Sequence, residues 1–229
     1  MGDWAAEVVD RSRAALAAVA DPEKAPAMEA YMRHVAPFFG VQAGPRRAAL
    51  RAVWKDLESP ATSDDLGAAA RALMAERERE LHYAAYDLIE RYLSRADEHF
   101  CERHVEALLC TVPWWDTVDG LVSHAVSPLC RRFGLADLVD RWSESGDRWL
   151  IRAALGHQRG WKEATDLERV AGLCSRHWED PELFVAKAIG WALRDAARLD
   201  PDRVGRFLDE HPTPNPVAVR EARRGLATR

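Results

Sequence analysis

Long apolar runs, closely spaced cysteines, paired histidines and strand-like alternation are all missing from this sequence, and each absence removes a class of protein. The four cysteines, Cys101, Cys110, Cys130 and Cys174, lie far apart and make no C-x-x-C pair, which argues against a zinc site and against a disulfide framework. They are expected to be reduced, buried and inert. The eight histidines form no H-x-x-x-H or H-E-x-x-H spacing, so neither a metal nor any other cofactor is expected. No stretch reads as membrane-spanning, and Met1-Gly2-Asp3-Trp4-Ala5-Ala6-Glu7 carries an early acid with no basic region followed by an apolar run. A cytoplasmic protein is expected. No sustained alternation of apolar and polar residues flanked by hairpin turns occurs, so the fold is expected to be all-α.

What is present describes one well-packed domain spanning residues 1–229, with 48% hydrophobic and 30% charged residues. The net charge of −5 does not advertise a nucleic-acid binder, yet it is unevenly spread. Residues 1–130 carry 14 basic and 21 acidic side chains, residues 131–229 carry 18 and 16, so a polyanion site is expected to use the C-terminal half. Helix starts are expected where a capping residue precedes a proline, at Asp21-Pro22-Glu23, Asp180-Pro181-Glu182, Asp200-Pro201-Asp202 and Asn215-Pro216. A further helix is expected through Met28–Arg33, and another from Asp147-Arg148-Trp149.

An internal period organises these helices. Small-residue centres at Ala49, Ala84, Asp119, Ala153 and Ala188 are spaced 35, 35, 34 and 35 residues, and a further 34 reaches Ala222. That spacing holds two helices and two turns. The tetratricopeptide pattern of Trp, Gly and Tyr is missing, so HEAT-like repeats stacked in a curved superhelical solenoid are expected, the aligned helices lining a concave face. Just before the centres stand Arg47, His82, Thr117, Arg152 and Lys187, a row of positions from which several repeats could project a cation or merely present a solvated face.

Two helices carry unusual side chains. In Pro113-Trp114-Trp115-Asp116-Thr117-Val118-Asp119, the stripe Trp114, Val118, Leu121 and Ala125 can face a core, while Trp115 and Asp119, four apart, share a neighbouring stripe. That pair is either a packed indole beside a solvated or salt-bridged acid, or a surface for a cation, through the π-face and the full negative charge. In the helix at 184–198, Lys187, Trp191, Arg194 and Arg198 fall on one stripe, which suits a phosphate backbone or is an exposed charged face. Stacking in sequence would set Arg152 between Asp119 and Trp191. A phosphate-gripping arginine, a carboxylate and two indoles on one strip point to chemistry on alkylated DNA.

These residues resemble the AlkD-like DNA glycosylases, the HEAT-like-repeat family that excises alkylated purines. The resemblance runs from Asp21-Pro22-Glu23-Lys24, Met28, Tyr31-Met32, Gly40-Val41-Gln42 and Pro45-Arg46-Arg47, through Trp114 to Asp119 and Trp149 to Ala154, to Lys187-Ala188-Ile189-Gly190-Trp191. It implies Asp119 as catalytic aspartate, Trp115 and Trp191 as lesion-flanking tryptophans, Arg152 as the backbone-gripping arginine and Tyr31 as a tyrosine near the site. The acidic N-terminal half departs from what a DNA-binding surface favours.

The implied activity is a monofunctional glycosylase acting on N3- or N7-alkylated purines in duplex DNA, working as a monomer and without a lysine Schiff base. Lesions would be handled on an open surface through deoxyribose and backbone contacts, by a protein tolerant of bulky alkyl groups. The main rival is a HEAT-like scaffold that binds DNA or a protein without catalysis; a related glycosylase with another lesion range is the second.

Overall fold

Capping side chains set where several of the helices begin. Asp147 accepts hydrogen bonds from the backbone N–H groups of Trp149 and Leu150 at 2.8 and 3.0 Å, and Asp200 accepts from Arg203 N–H at 2.9 Å with Pro201 in the first turn. Thr62 and Asp65 satisfy each other's backbone N–H groups in a reciprocal capping box. Asp21 and Asp180 act differently from expectation. Each accepts from the N–H two residues on, Glu23 at 3.1 Å and Glu182 at 2.8 Å, and so closes a turn; the helices start later, at Ala25 and Leu183.

A computed structural model describes residues 3–212 and 216–227, and among these every regular element is helical. Asn215, an expected cap, lies outside the described residues. The chain divides into two units, Met1–Ala125 and Val126–Arg229. The first holds α1 (Asp3–Ala18), α2 (Ala25–Tyr31), α3 (Ala43–Trp54), α4 (Ser63–Met74), α5 (Arg79–Arg91), α6 (Glu106–Cys110) and α7 (Trp115–Leu121). The second holds α8 (Ser127–Phe133), α9 (Ala136–Glu144), α10 (Arg148–Leu155), α11 (Leu167–Arg176), α12 (Leu183–Ala197), α13 (Pro201–Glu210) and α14 (Pro216–Leu226). π-Helical turns occupy Cys101–Val105 and Val122–Val126.

All six repeat centres lie on helices, namely α3, α5, α7, α10, α12 and α14. Within the first unit α3 packs on α5 and α5 on α7; within the second, α10 packs on α12 and α12 on α14. Behind them α1 packs on α4 and α4 on α5 in one unit, while α9, α11 and α13 back α10, α12 and α14 in the other. Each unit is thus built of two helical layers with its core between them. Leu66, Leu73, Leu81, Leu88 and Phe100 are fully buried in the first; Trp142, Ala153, Val185, Ile189 and Ala222 are buried in the second. Cys101, Cys130 and Cys174 sit in these cores, and burial pushes the Cys130 and Cys174 thiols up to about 12. Cys110, at the end of α6, is exposed instead, because α6 stops after one turn.

Past α10, His157 is buried as a neutral ring. Its Nδ1 donates to Ala154 O at 2.7 Å, its Nε2 accepts from Gln158 Nε2 at 3.1 Å, and burial lowers its pKa to about 4. The unfolded chain protonates this ring from about pH 6.5 downward, the folded chain only near 4, so its contribution to stability is full above 6.5 and lost as pH falls to about 4. His82 and His104 are shifted in the same direction by burial. Denaturant unfolding between pH 7 and 4 is expected to show wild-type stability falling more steeply than that of His157→Gln, with a differential of about 2–3 kcal/mol. Parallel curves would show that His157 carries no such linkage.

Candidate functional site

In the first unit α7, which carries Trp115 and Asp119, is positioned by the start of α5. Arg79 is 0% exposed, a desolvated guanidinium whose donors are all matched. Its Nε and Nη2 donate to the two carboxylate oxygens of Asp116 at 3.0 and 2.6 Å, Nη2 reaches Thr117 Oγ1 at 3.2 Å, and Nη1 reaches Val112 O at 3.0 Å. Tyr83 donates its hydroxyl to Asp116 Oδ2 at 2.5 Å. Burial, then the Asp116 charge, raises the Tyr83 pKa far above the usual range, which keeps the phenol a donor. Thr117 Oγ1 closes the helix entry through Trp114 O at 3.1 Å. The turn itself is strained: Val112, exposed and β-branched, has φ +44°. Gly120 lets α7 approach α5 closely, since a Cβ there would fall 2.3 Å from the Tyr86 ring.

On this platform Trp115 and Asp119 share a stripe of α7 and both are half-buried. The Trp115 ring meets Tyr31 edge-on, with centroids 6.0 Å apart and planes at 85°. Tyr31 is 71% exposed, a large aromatic surface given to solvent rather than to the core. It ends α2, which stops short of the expected Arg33 because Arg33 and His34 both take left-handed conformations, φ +58° and +56°. The following loop is pinned by buried Glu80, whose carboxylate accepts from Phe39 N–H at 3.0 Å and Val41 N–H at 2.8 Å. Asp119 occupies a repeat centre where Ala84, Ala153, Ala188 and Ala222 are buried alanines.

Arg47 is exposed and leans on Asp87 at 3.4 Å, while its neighbour Arg46 is buried, bonded to Asp87 at 3.0 Å and placed over the Tyr83 ring at 4.8 Å. Asp87, Glu90 and His124 lie close enough to share an ion. Asp87 is already matched by two guanidinium groups and His124 stacks on Tyr86, so this donor set is committed to packing. Of the five positions just before the repeat centres, Arg47 is exposed and Lys187 half-buried, whereas Arg152 is buried, His82 is buried against Glu76 O at 2.7 Å and Thr117 is buried in the Arg79 network. His82 and Thr117 are held inward by carbonyls on the turn just before their own helices, Glu76 O and Trp114 O.

In the second unit Arg152, on α10, is 2% exposed. Its Nη1 donates to Phe184 O at 2.6 Å and its guanidinium lies 4.7 Å from the Trp191 ring centre. Arg159, exposed and not foreseen, lies 5.5 Å from the same ring. Lys187 stands one turn before Trp191 on α12, half-buried. Lower on that helix the stripe is charge-balanced: Arg194 pairs with Glu221 at 3.2 Å and Arg198 with Asp195 at 3.1 Å.

The family described as DNA alkylation repair enzyme matches residues 12–226. The chain belongs to the DNA alkylation repair enzyme family. It is also similar to the solved structure of a predicted DNA alkylation repair enzyme from Enterococcus faecalis, at 27% identity with a TM-score of 0.81, covering 92% of this chain and 98% of that one. Among curated proteins none matches it.

For a DNA alkylation repair enzyme the informative residues that sequence reasoning missed are Arg79, Tyr83 and Arg159. Arg79 sits in a run, Glu76-Arg77-Glu78-Arg79-Glu80, that reads as a solvated charged stretch; only its partner 37 residues later marks it as interior. Removing one partner of a buried pair leaves the other charge uncompensated. Arg79→Met is therefore expected to destabilise the protein by about 3–5 kcal/mol in denaturant unfolding. A loss below about 1 kcal/mol, the range of exposed pairs, would show that the network does not hold α7.

Proposed function

We propose that this DNA alkylation repair protein is a monofunctional glycosylase that hydrolyses the N-glycosidic bond of N3- and N7-alkylated purines in duplex DNA, acting as a monomer. Membership of a DNA alkylation repair enzyme family supports alkylated DNA as the substrate. The observation that carries the reaction type is Asp119: a half-buried carboxylate at a repeat centre otherwise filled by alanine, one turn from an indole that meets an exposed tyrosine. A protein that only gripped phosphates would gain nothing from a carboxylate there.

The chemistry follows from charge. An N3- or N7-alkylated purine is a cation, so it leaves with the glycosidic electron pair as a neutral base and needs no protonation. Positive charge then develops on the deoxyribose, and water adds to the anomeric carbon with loss of a proton to Asp119 or to solvent. A carboxylate about 4 Å from that charge, at an effective dielectric of about 20, contributes roughly 4 kcal/mol, on the order of a thousandfold in rate. An indole contact contributes about 0.5–2 kcal/mol. Asp119 is the dominant group, Trp115 the secondary one, and Tyr31 extends the aromatic surface beside it. In the second unit Arg152, Trp191 and Lys187 serve DNA binding, with Arg47, Arg194 and Arg198 as weaker contributors because carboxylates already balance them.

Release of methylated purine from alkylated duplex DNA, measured in single turnover, is expected to fall about a thousandfold in Asp119→Asn while duplex binding persists. Release by the variant at the wild-type rate, or uracil released as fast as a cationic base, would sink the electrostatic account. Binding with no release by either protein would leave a helical scaffold for DNA.

A further inference from the structure

Trp191 already holds two cations. The guanidinium of Arg152 lies 4.7 Å from its ring centre and that of Arg159 lies 5.5 Å away. Both draw on the same negative π-cloud, and their positive charges repel a third cation brought to that ring. An alkylated purine is such a cation, so this indole is a poor stacking surface for it. The two arginines differ in what they have left to offer. Arg152 is buried and committed in part to the Phe184 carbonyl. Arg159 is exposed, and among the described residues no carboxylate pairs with its side chain.

A guanidinium steered by an aromatic ring, exposed and lacking an acid partner, matches one ligand chemistry closely. Its planar fork of donors fits two oxygens of a phosphodiester, and stacking on an indole limits the side-chain freedom that binding would otherwise remove. Lys187, one turn before Trp191 on α12, likewise has no carboxylate partner among the described residues and adds a second positive charge on the same stripe. Nearby cations further down α12 are neutralised by Glu221 and Asp195, so the positive field is concentrated at the Trp191 end. We propose that Arg159, held over Trp191 and flanked by Lys187, binds a DNA phosphodiester, and that Trp191 serves there as a platform for guanidinium groups rather than as a stacking surface for the cationic base. This rests on the DNA-repair reading but not on the glycosylase chemistry.

Counterion release gives the test. Each phosphate contact contributes about 0.9 to the slope of log affinity against log salt, which at about 0.1 M salt corresponds to roughly eightfold in affinity. Binding of an undamaged duplex is measured by fluorescence anisotropy from about 50 to about 300 mM salt for wild type, Arg159→Ala and Arg159→Lys. Arg159→Ala is expected to bind about eightfold more weakly at about 0.1 M salt, with a slope smaller by about 0.9, and Arg159→Lys to keep the wild-type slope. An unchanged slope in Arg159→Ala, or the same lost slope in both variants, overturns the proposal. Because the side chain is exposed, misfolding is not at issue, and a purely structural role would leave the slope untouched. A wild-type protein that shows this Arg159-dependent slope yet releases no methylated purine would sink the glycosylase reading and leave the phosphate site standing.

Discussion

The buried pair between Arg79 and Asp116 is the constraint on which the first unit's candidate site depends. A guanidinium removed from water must find acceptors for all its donors, and here they come from Asp116, Thr117, the Val112 carbonyl and the His82 ring. Three of those partners belong to the turn and first residues of α7. The cost of leaving any of them unmatched forces the entry of α7 into one position, strained backbone at Val112 included. The next residue, Glu80, does the same for the loop after α2, through two backbone N–H groups. Two adjacent charges at one helix start therefore fix both supports of the aromatic pair Tyr31 and Trp115.

An acidic protein that works on a polyanion needs its cations where they count. Several arginines in the second unit are matched by acids, such as Arg194, Arg198 and Arg169. Such pairing neutralises those side chains, whereas Arg152 and Arg159 lie instead over the Trp191 ring. The net charge of the chain is then a weak guide to its ligand, because screened surface charges cancel locally over a few ångströms.

The repeat was legible because a centre that must pack against the next layer tolerates only small residues, and the period placed all six centres on helices. The pairing of Trp115 with Asp119 on one stripe followed from helical spacing alone. What could not be read was the direction of charged residues. Arg46 and Arg47 are neighbours of the same type, yet one is buried on Asp87 and the other exposed; the choice is made by an acceptor 40 residues away. Asp21 and Asp180 likewise carry good capping signals, but their own two-residue turns satisfy the backbone first. Arg159 lies in a turn outside any periodic pattern, and nothing local announces that it reaches Trp191.

Asp119 stands at a centre where four other repeats seat buried alanines, and it does so on a helix of only seven residues that runs on into a π-helical turn at Val122–Val126. At Ala84 or Ala153, both fully covered, a carboxylate would lose its water altogether and refuse ionisation or unfold the layer. On the proposed reading the reactive carboxylate is thus tied to a short helix that gives way to one of the two π-helical turns among the described residues. A second carboxylate of this kind would require opening another centre to water, and with it giving up the packing that the buried alanine there provides.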